Sequence, residues 1–424
     1  MAKTIFTNIK KLVNCRTDNQ LLRGNNLAIL PCIDNAYLLI EDDKIIEYGS
    51  MDDCPTKIDS FEVGPAITVL NVSGQYILPA WCDSHTHLVF AGSRENEFVE
   101  KIRGLTYAEI AAKGGGILNS ARILNETPEH VLYAATLSRL KEIALQGTGA
   151  VEIKSGYGLT VDAELKMLRV IQRLKKESPM IIRSTFLGAH TYPAAFKENH
   201  EGYINLIINE MLPVIANEKL ADYIDVFCED GFFSPDETER ICRAGMRFGL
   251  KPKIHANQLN LSGGVETGIR LNAVSVDHLE MMNDSTIEKL SNSDTIGTLL
   301  PGAAFFLGMQ VKTARQMIRS GCAIAIASDY NPGSSPTGNM NLIVALACIQ
   351  MKLLPEEAIN AATLNGAYAM GVEDQAGSIT CGKKANLIIT KPVPSLAYIP
   401  YSYGSNLTDK VFIGGKLCND LLIR

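Results

Sequence analysis

The chain has 424 residues with 46% hydrophobic and 20% charged side chains, enough to bury the core of one large domain and a smaller one. The formal net charge of -6 and the lack of long Lys/Arg runs exclude a nucleic-acid footprint, and no uncharged apolar run reaches membrane-span length. The first residues, MAKTIFTNIKKLVNCRT, lack the apolar core of a signal peptide, and the ten cysteines form no C-x-x-C pair. Reduced, mostly buried thiols in a cytoplasmic protein are therefore expected.

Residues 1–76 read as short strands. The stretch 36–49, AYLLIEDDKIIEYG, predicts a hairpin with a polar turn at EDDK. The stretch 66–79, AITVLNVSGQYILP, repeats the pattern and predicts a second hairpin turning at Ser73-Gly74.

From residue 77 apolar strands alternate with amphipathic helices, the pattern of βα units around a parallel sheet. Thr127-Pro128 opens one helix, with Tyr133, Leu137, Leu140 and Ala144 on one face and Gly147 as its stop. A second carries Leu165, Leu168, Ile171 and Leu174, and a third opens at Ser234-Pro235-Asp236-Glu237 with a capping box. The first strand leads into Asp83-Ser84-His85-Thr86-His87. Seven further strands are predicted at 149–155, 182–190, 223–229, 251–257, 273–280, 295–301 and 323–329. Eight parallel strands with intervening helices predict an α/β fold, the (β/α)₈ or TIM barrel. From about 375 the texture reverts to strands, at 378–390 and 409–418. A barrel over 77–374 and a small β-subdomain built from 1–76 plus 375–424 are expected.

The polar residues fall at the strand ends. Of seven histidines, five (His85, His87, His190, His255 and His278) sit there, and only His130 and His200 do not. His85 and His87 share one face of a strand, because side chains alternate. Active sites of such barrels lie at the C-terminal ends of the strands. His85, His87, His255 and Asp329 offer three imidazoles and a carboxylate, a ligand set that leaves a position open for water. His278 on the neighbouring strand is a candidate base, or a donor to a scissile carbonyl. Arg94, seven residues past His87, suits a carboxylate on a small anionic substrate. The loop Lys113-Gly114-Gly115-Gly116 lacks the frame of a phosphate-binding loop. It reads as a mobile lid or a close backbone approach to a ligand. Lys154 on strand two reads as a structural ion pair.

These residues carry a resemblance. DSHTHLVFAGSRENEF, KGGGI, EIKSGYGL, FLGAHTYP, KIHANQ, VDHLE, SDYNPGSSP and the tail AATLNGAYAMGVEDQAGSITCGKKANLIIT run in order from about 70 to 390. Together they resemble the amidohydrolase superfamily, and within it the imidazolonepropionase family. The resemblance implies a barrel with a composite β-sandwich from both termini. It implies one zinc(II) or iron(III) ion on His85, His87, His255 and Asp329. The implied reaction is hydrolysis of the cyclic amide of 4-imidazolone-5-propanoate to N-formimidoyl-L-glutamate in histidine degradation. Arg94, Tyr107, Tyr157 and His190 match the family's substrate-holding positions, and Asn331, Gly333 and Ser334 its loop after the aspartate ligand. Gln258 stands where many relatives carry Glu; it hydrogen-bonds but cannot shuttle a proton. That leaves proton transfer to Asp329, with His278 polarising the carbonyl. Ser334, where Thr is common, keeps its hydroxyl. Another cyclic amidohydrolase or a purine or pyrimidine deaminase shares the ligand set, and a non-catalytic metal-binding barrel is the alternative of another class. A symmetric homodimer is the default expectation for the assembly.

Overall fold

The computed structural model describes residues 2–55, 67–105, 109 and 115–421. Strand β1 (Lys3–Val13) pairs antiparallel with β2 (Cys32–Glu41), and β2 with β3 (Lys44–Ser50). The second pairing is the expected hairpin, turning at Asp42, which takes a φ of 51° that short polar residues tolerate.

The stretch 66–79 corrects the expectation. β4 (Ile67–Asn71) and β5 (Tyr76–Pro79) do not pair with each other. Both run parallel to β1, β4 against Lys3–Thr7 and β5 against Lys11–Leu12. An apolar run beside a turn signal marks a strand without naming its partner, and β1, at 11 residues, is long enough to serve both.

The changeover to the second sheet falls at Ala80. Its strands are β6 (Trp81–Thr86), β7 (Thr148–Lys154), β8 (Ile181–Ala189), β9 (Tyr223–Cys228), β10 (Lys251–Ala256), β11 (Ser275–His278), β12 (Ile296–Leu299) and β13 (Ile324–Ile326). Each pairs parallel with the next, so the eight strands stand in chain order as the sequence predicts. Backbone bonds just past β13 close the ring: Asp329 N donates to His85 O at 3.0 Å and His87 N to Tyr330 O at 2.9 Å. The Asp83 carboxylate reinforces the seam, accepting Ser328 N at 2.9 Å and Ser328 Oγ at 2.6 Å. Asp83 is thus a closure residue.

The predicted helices run Glu129–Leu145, Val161–Glu177 and Pro235–Arg247. Leu140 and Ala144 on the first, and all four leucines and isoleucines named on the second, are buried. Ser234 and Glu237 form the expected capping box on the third.

After the barrel, β14 (Leu387–Thr390) pairs with β5, and β15 (Thr408–Ile413) and β16 (Lys416–Leu417) extend the edge. Strands from both ends of the chain therefore share one mixed sheet. It has its own apolar core, built around Phe6, Leu12, Leu38, Ile40, Leu387 and Ile389. Among the described residues, no helix is long and apolar enough to cross a membrane.

Candidate metal centre and active site

The barrel mouth gathers the strand-end histidines. The rings of His85 and His87 are 5.3 Å apart, and those of His85 and His255 4.4 Å. Asp329 Oδ1 lies 3.6 Å from His85 Nε2 and 3.5 Å from His87 Nε2. His278 stands beside them, its ring 5.3 Å from His255 and 5.7 Å from His85. The donor atoms form two overlapping triplets within 4.8 Å, His85–His87–Asp329 and His85–His255–His278. All five residues are buried.

Beneath them the barrel interior is ionic. Asp277 Oδ2 takes the Nδ1 edge of His85 at 2.7 Å, and Asp225 Oδ2 lies 2.9 Å from Nδ1 of His255. A carboxylate on Nδ1 leaves Nε2 as a bare lone pair, the tautomer a metal needs. Lys154 Nζ sits 2.8 Å from both Glu152 and Asp225, and Lys253 Nζ 3.1 Å from Glu152. These side chains are fully buried, and each charge has its partner. Lys154 is the structural ion pair expected from the sequence.

The electrostatics suit neutral imidazoles. Burial, with Lys154 and the neighbouring rings, holds His85 well below its ordinary range. Burial and the adjacent histidines do the same to His87. Burial lowers His255 too, against the opposing pull of Asp225. His278 differs. Burial would lower it, but Glu280, 3.5 Å from its Nδ1, together with Asp329 and Asp277, carries it above the ordinary value. Burial pushes the Asp329 carboxyl up to about 7, opposed by His278. His85 Nε2 and His255 Nε2 are buried without a hydrogen-bond partner. Buried polar atoms are normally satisfied, so these two, with Asp329 and His87, fit a divalent metal ion.

Above the centre opens a cavity of about 640 Å³. Arg94, Tyr157, His190, Gln258, Asn331, Gly333 and Ser334 line it, with His87, His255, His278 and Asp329. His85 is fully buried and is not among the lining residues. Tyr107 lies outside the described residues. His190 stacks on His87, rings 5.3 Å apart and 15° from parallel, and its Nδ1 donates to Gly156 O at 3.0 Å. Burial lowers His190 to about 3. Asn331 organises the loop behind Asp329: its Nδ2 donates to Asp329 O at 2.6 Å, and its Oδ1 accepts Gly333 N and Ser334 N, both at 2.8 Å.

Sequence reasoning did not find Asp225, Asp277, Glu280 or Glu97. Asp277 and His278 are adjacent, and strict alternation would send them to opposite faces. His278 instead takes a φ of 88° and Leu279 one of 66°, which breaks the alternation. Both side chains thereby reach the centre. An acidic residue beside a strand-end histidine was the available signal.

Comparison with known proteins gives the same grouping. Residues 76–418 match the amidohydrolase family. The chain belongs to the amidohydrolase family. A relative from Flavobacterium johnsoniae, named imidazolonepropionase, is 56% identical over 98% of this amidohydrolase and 99% of its own length. Another of that name, from Flavobacterium psychrophilum, is 54% identical over 98% and 100%. Among solved structures, a triazine hydrolase variant superposes with a TM-score of 0.73 at 14% identity, covering 98% of this chain and 94% of that one. Atrazine chlorohydrolase from Arthrobacter aurescens, complexed with zinc, gives 0.71 at 13%, again covering 98% and 94%. At such identities these two share the fold with this amidohydrolase.

Proposed function

We propose that this chain hydrolyses the ring amide of 4-imidazolone-5-propanoate to N-formimidoyl-L-glutamate, a step of histidine degradation. The observation that carries the reading is 56% identity, over 98% of the chain, to a relative named imidazolonepropionase. His85, His87, His255 and Asp329 hold one zinc or iron ion. When bound, the ion acidifies water and polarises a carbonyl.

The chain's own groups do the rest. Arg94, Tyr107, Tyr157 and His190 hold the substrate, Arg94 by a charge-assisted grip on the propionate. Asn331, Gly333 and Ser334 shape the rim behind Asp329, and Gln258 hydrogen-bonds the ring. Asp329 accepts the proton of the attacking water. His278, whose imidazole Glu280 pulls above its ordinary value, donates to the carbonyl oxygen as charge develops there. Water oxygen joins the carbonyl carbon, the ring C–N bond breaks, and the proton returns to the leaving nitrogen. The product carries one more carboxylate than the substrate. The enzyme works in the cytoplasm as a homodimer.

The test is loss of imidazolonepropionate absorbance with purified protein, beside His255→Ala, with metal assayed on both samples. Turnover by the parent and not by the variant supports the reading. A metal-loaded parent without turnover removes this substrate.

A further inference from the structure

We propose that Glu97 is the positioning residue of the carboxylate clamp: it fixes the Arg94 guanidinium so that one edge stays free for an acidic side arm, and so sets selectivity for that arm. This deepens the function proposed above and rests on it for the arm's identity as a propionate.

Arg94 stands at the start of the helix Glu95–Ile102, and Glu97 lies in its first turn. Arg94 Nε and Nη2 both donate to Glu97 Oε2, at 2.9 and 2.5 Å. The other oxygen of Glu97 accepts Gly116 N at 2.9 Å, so a single carboxylate ties the arginine to the backbone at Gly116. The two side chains are only 12% and 11% exposed, which limits solvent screening of the pair.

A guanidinium has five N–H groups, and Glu97 takes two of them. The remaining edge includes Nη1, which lies over Gly333, where an added Cβ would sit 2.4 Å away. Gly333 N is held by Asn331 Oδ1 at 2.8 Å, in the loop that begins at Asp329. Among the described residues the remaining edge has no hydrogen-bond partner, and it is set between Glu97 on one side and the loop of the metal centre on the other. Arg94 and Gly333 line the same cavity as His87, Tyr157 and His190. Lys101, also in its lining, places Nζ 3.4 Å from Gly333 O. Arg94 and Lys101 against Glu97 leave one net positive charge, the complement of one carboxylate.

An untethered arginine loses rotamer freedom when it grips a ligand. Glu97 has already removed that freedom, and the free N–H groups suffice for a bidentate fork.

The experiment is calorimetry on the metal-loaded full chain with 3-(imidazol-4-yl)propanoate and its primary amide, comparing the parent with Glu97→Gln and Gly333→Ala. In Glu97→Gln the Kd of the acid rises about tenfold, the scale of one charge-assisted hydrogen bond. The Kd of the amide stays the same. Gly333→Ala, which crowds the free edge from the other side, shows the same acid-selective loss. In turnover, Glu97→Gln raises KM and leaves kcat close to the parent's. An acid Kd that is unchanged or tighter in Glu97→Gln overturns the proposal, as does equal weakening of acid and amide. A parent that does not distinguish acid from amide overturns it too. A parent that prefers the acid but does not turn over imidazolonepropionate removes the proposed function and leaves the role of Glu97 standing.

Discussion

Asp277, on the sixth barrel strand, holds the Nδ1 edge of His85, on the first, at 2.7 Å. The bond fixes which nitrogen of His85 faces Asp329, and so makes metal affinity depend on a residue outside the ligand set. Asp277→Asn frees the ring to choose its tautomer, and metal affinity is expected to fall about 10- to 100-fold. Metal retained after dialysis against a graded chelator series reads the change. Retention equal to the parent's would show that His85 needs no such partner.

His278 belongs geometrically to one of the two donor triplets, yet its assigned work is proton donation. His278→Ala is expected to lower kcat about 10²- to 10⁴-fold while the protein keeps its metal. Metal analysis and turnover on the same preparation separate the two roles. A variant that loses its metal would make His278 a ligand instead.

Stripping the metal should cost stability as well as activity, because an ion that binds only the folded state adds RT ln(1 + [L]/Kd), about 2.7 kcal/mol at a hundredfold excess over Kd. The thermal midpoint of the chelated protein is expected to fall and to climb again with added zinc. A midpoint indifferent to metal would mean that the centre is as well held without it.

Away from the site, Asp222 governs part of the acid limit. Burial would raise its carboxyl, but Lys175, Ser184 N and Arg183 hold it below the ordinary value. A depressed folded pKa adds stability that is fully present above the unfolded value, about pH 4, and is lost as pH falls through the folded one. Denaturant titrations from pH 6 down to pH 3 should therefore show a shallower acid decline for Asp222→Asn than for the parent. Parallel declines would remove Asp222 from the account.

The ligand set was legible because strand alternation is local. His85 and His87 share a face by counting two residues, His255 lies at the end of a strand that its own apolar run announces, and Asp329 follows three residues after the last barrel strand. The partners of those ligands were not legible. Nothing near His85 in the chain points to Asp277, since the contact spans 192 residues and forms only when the ring of strands closes. Glu97 and Gly116 meet for a similar reason, 19 residues apart in the chain. The stretch 66–79 differs from the expected hairpin at the same root: a turn signal at Ser73-Gly74 is local, whereas the pairing of both β4 and β5 with the longer β1 is not.

The sequence by itself determined the strand count, the βα alternation, the helix starts and the histidines at the barrel mouth, because each follows from the period of side-chain direction or from capping chemistry within a few residues. Tertiary structure decided which carboxylate orients which imidazole, where the Arg94 fork is anchored, and which strands the two termini share. Those outcomes depend on distances across the closed barrel and on burial, which turns a chance pairing of charges into an obligatory one.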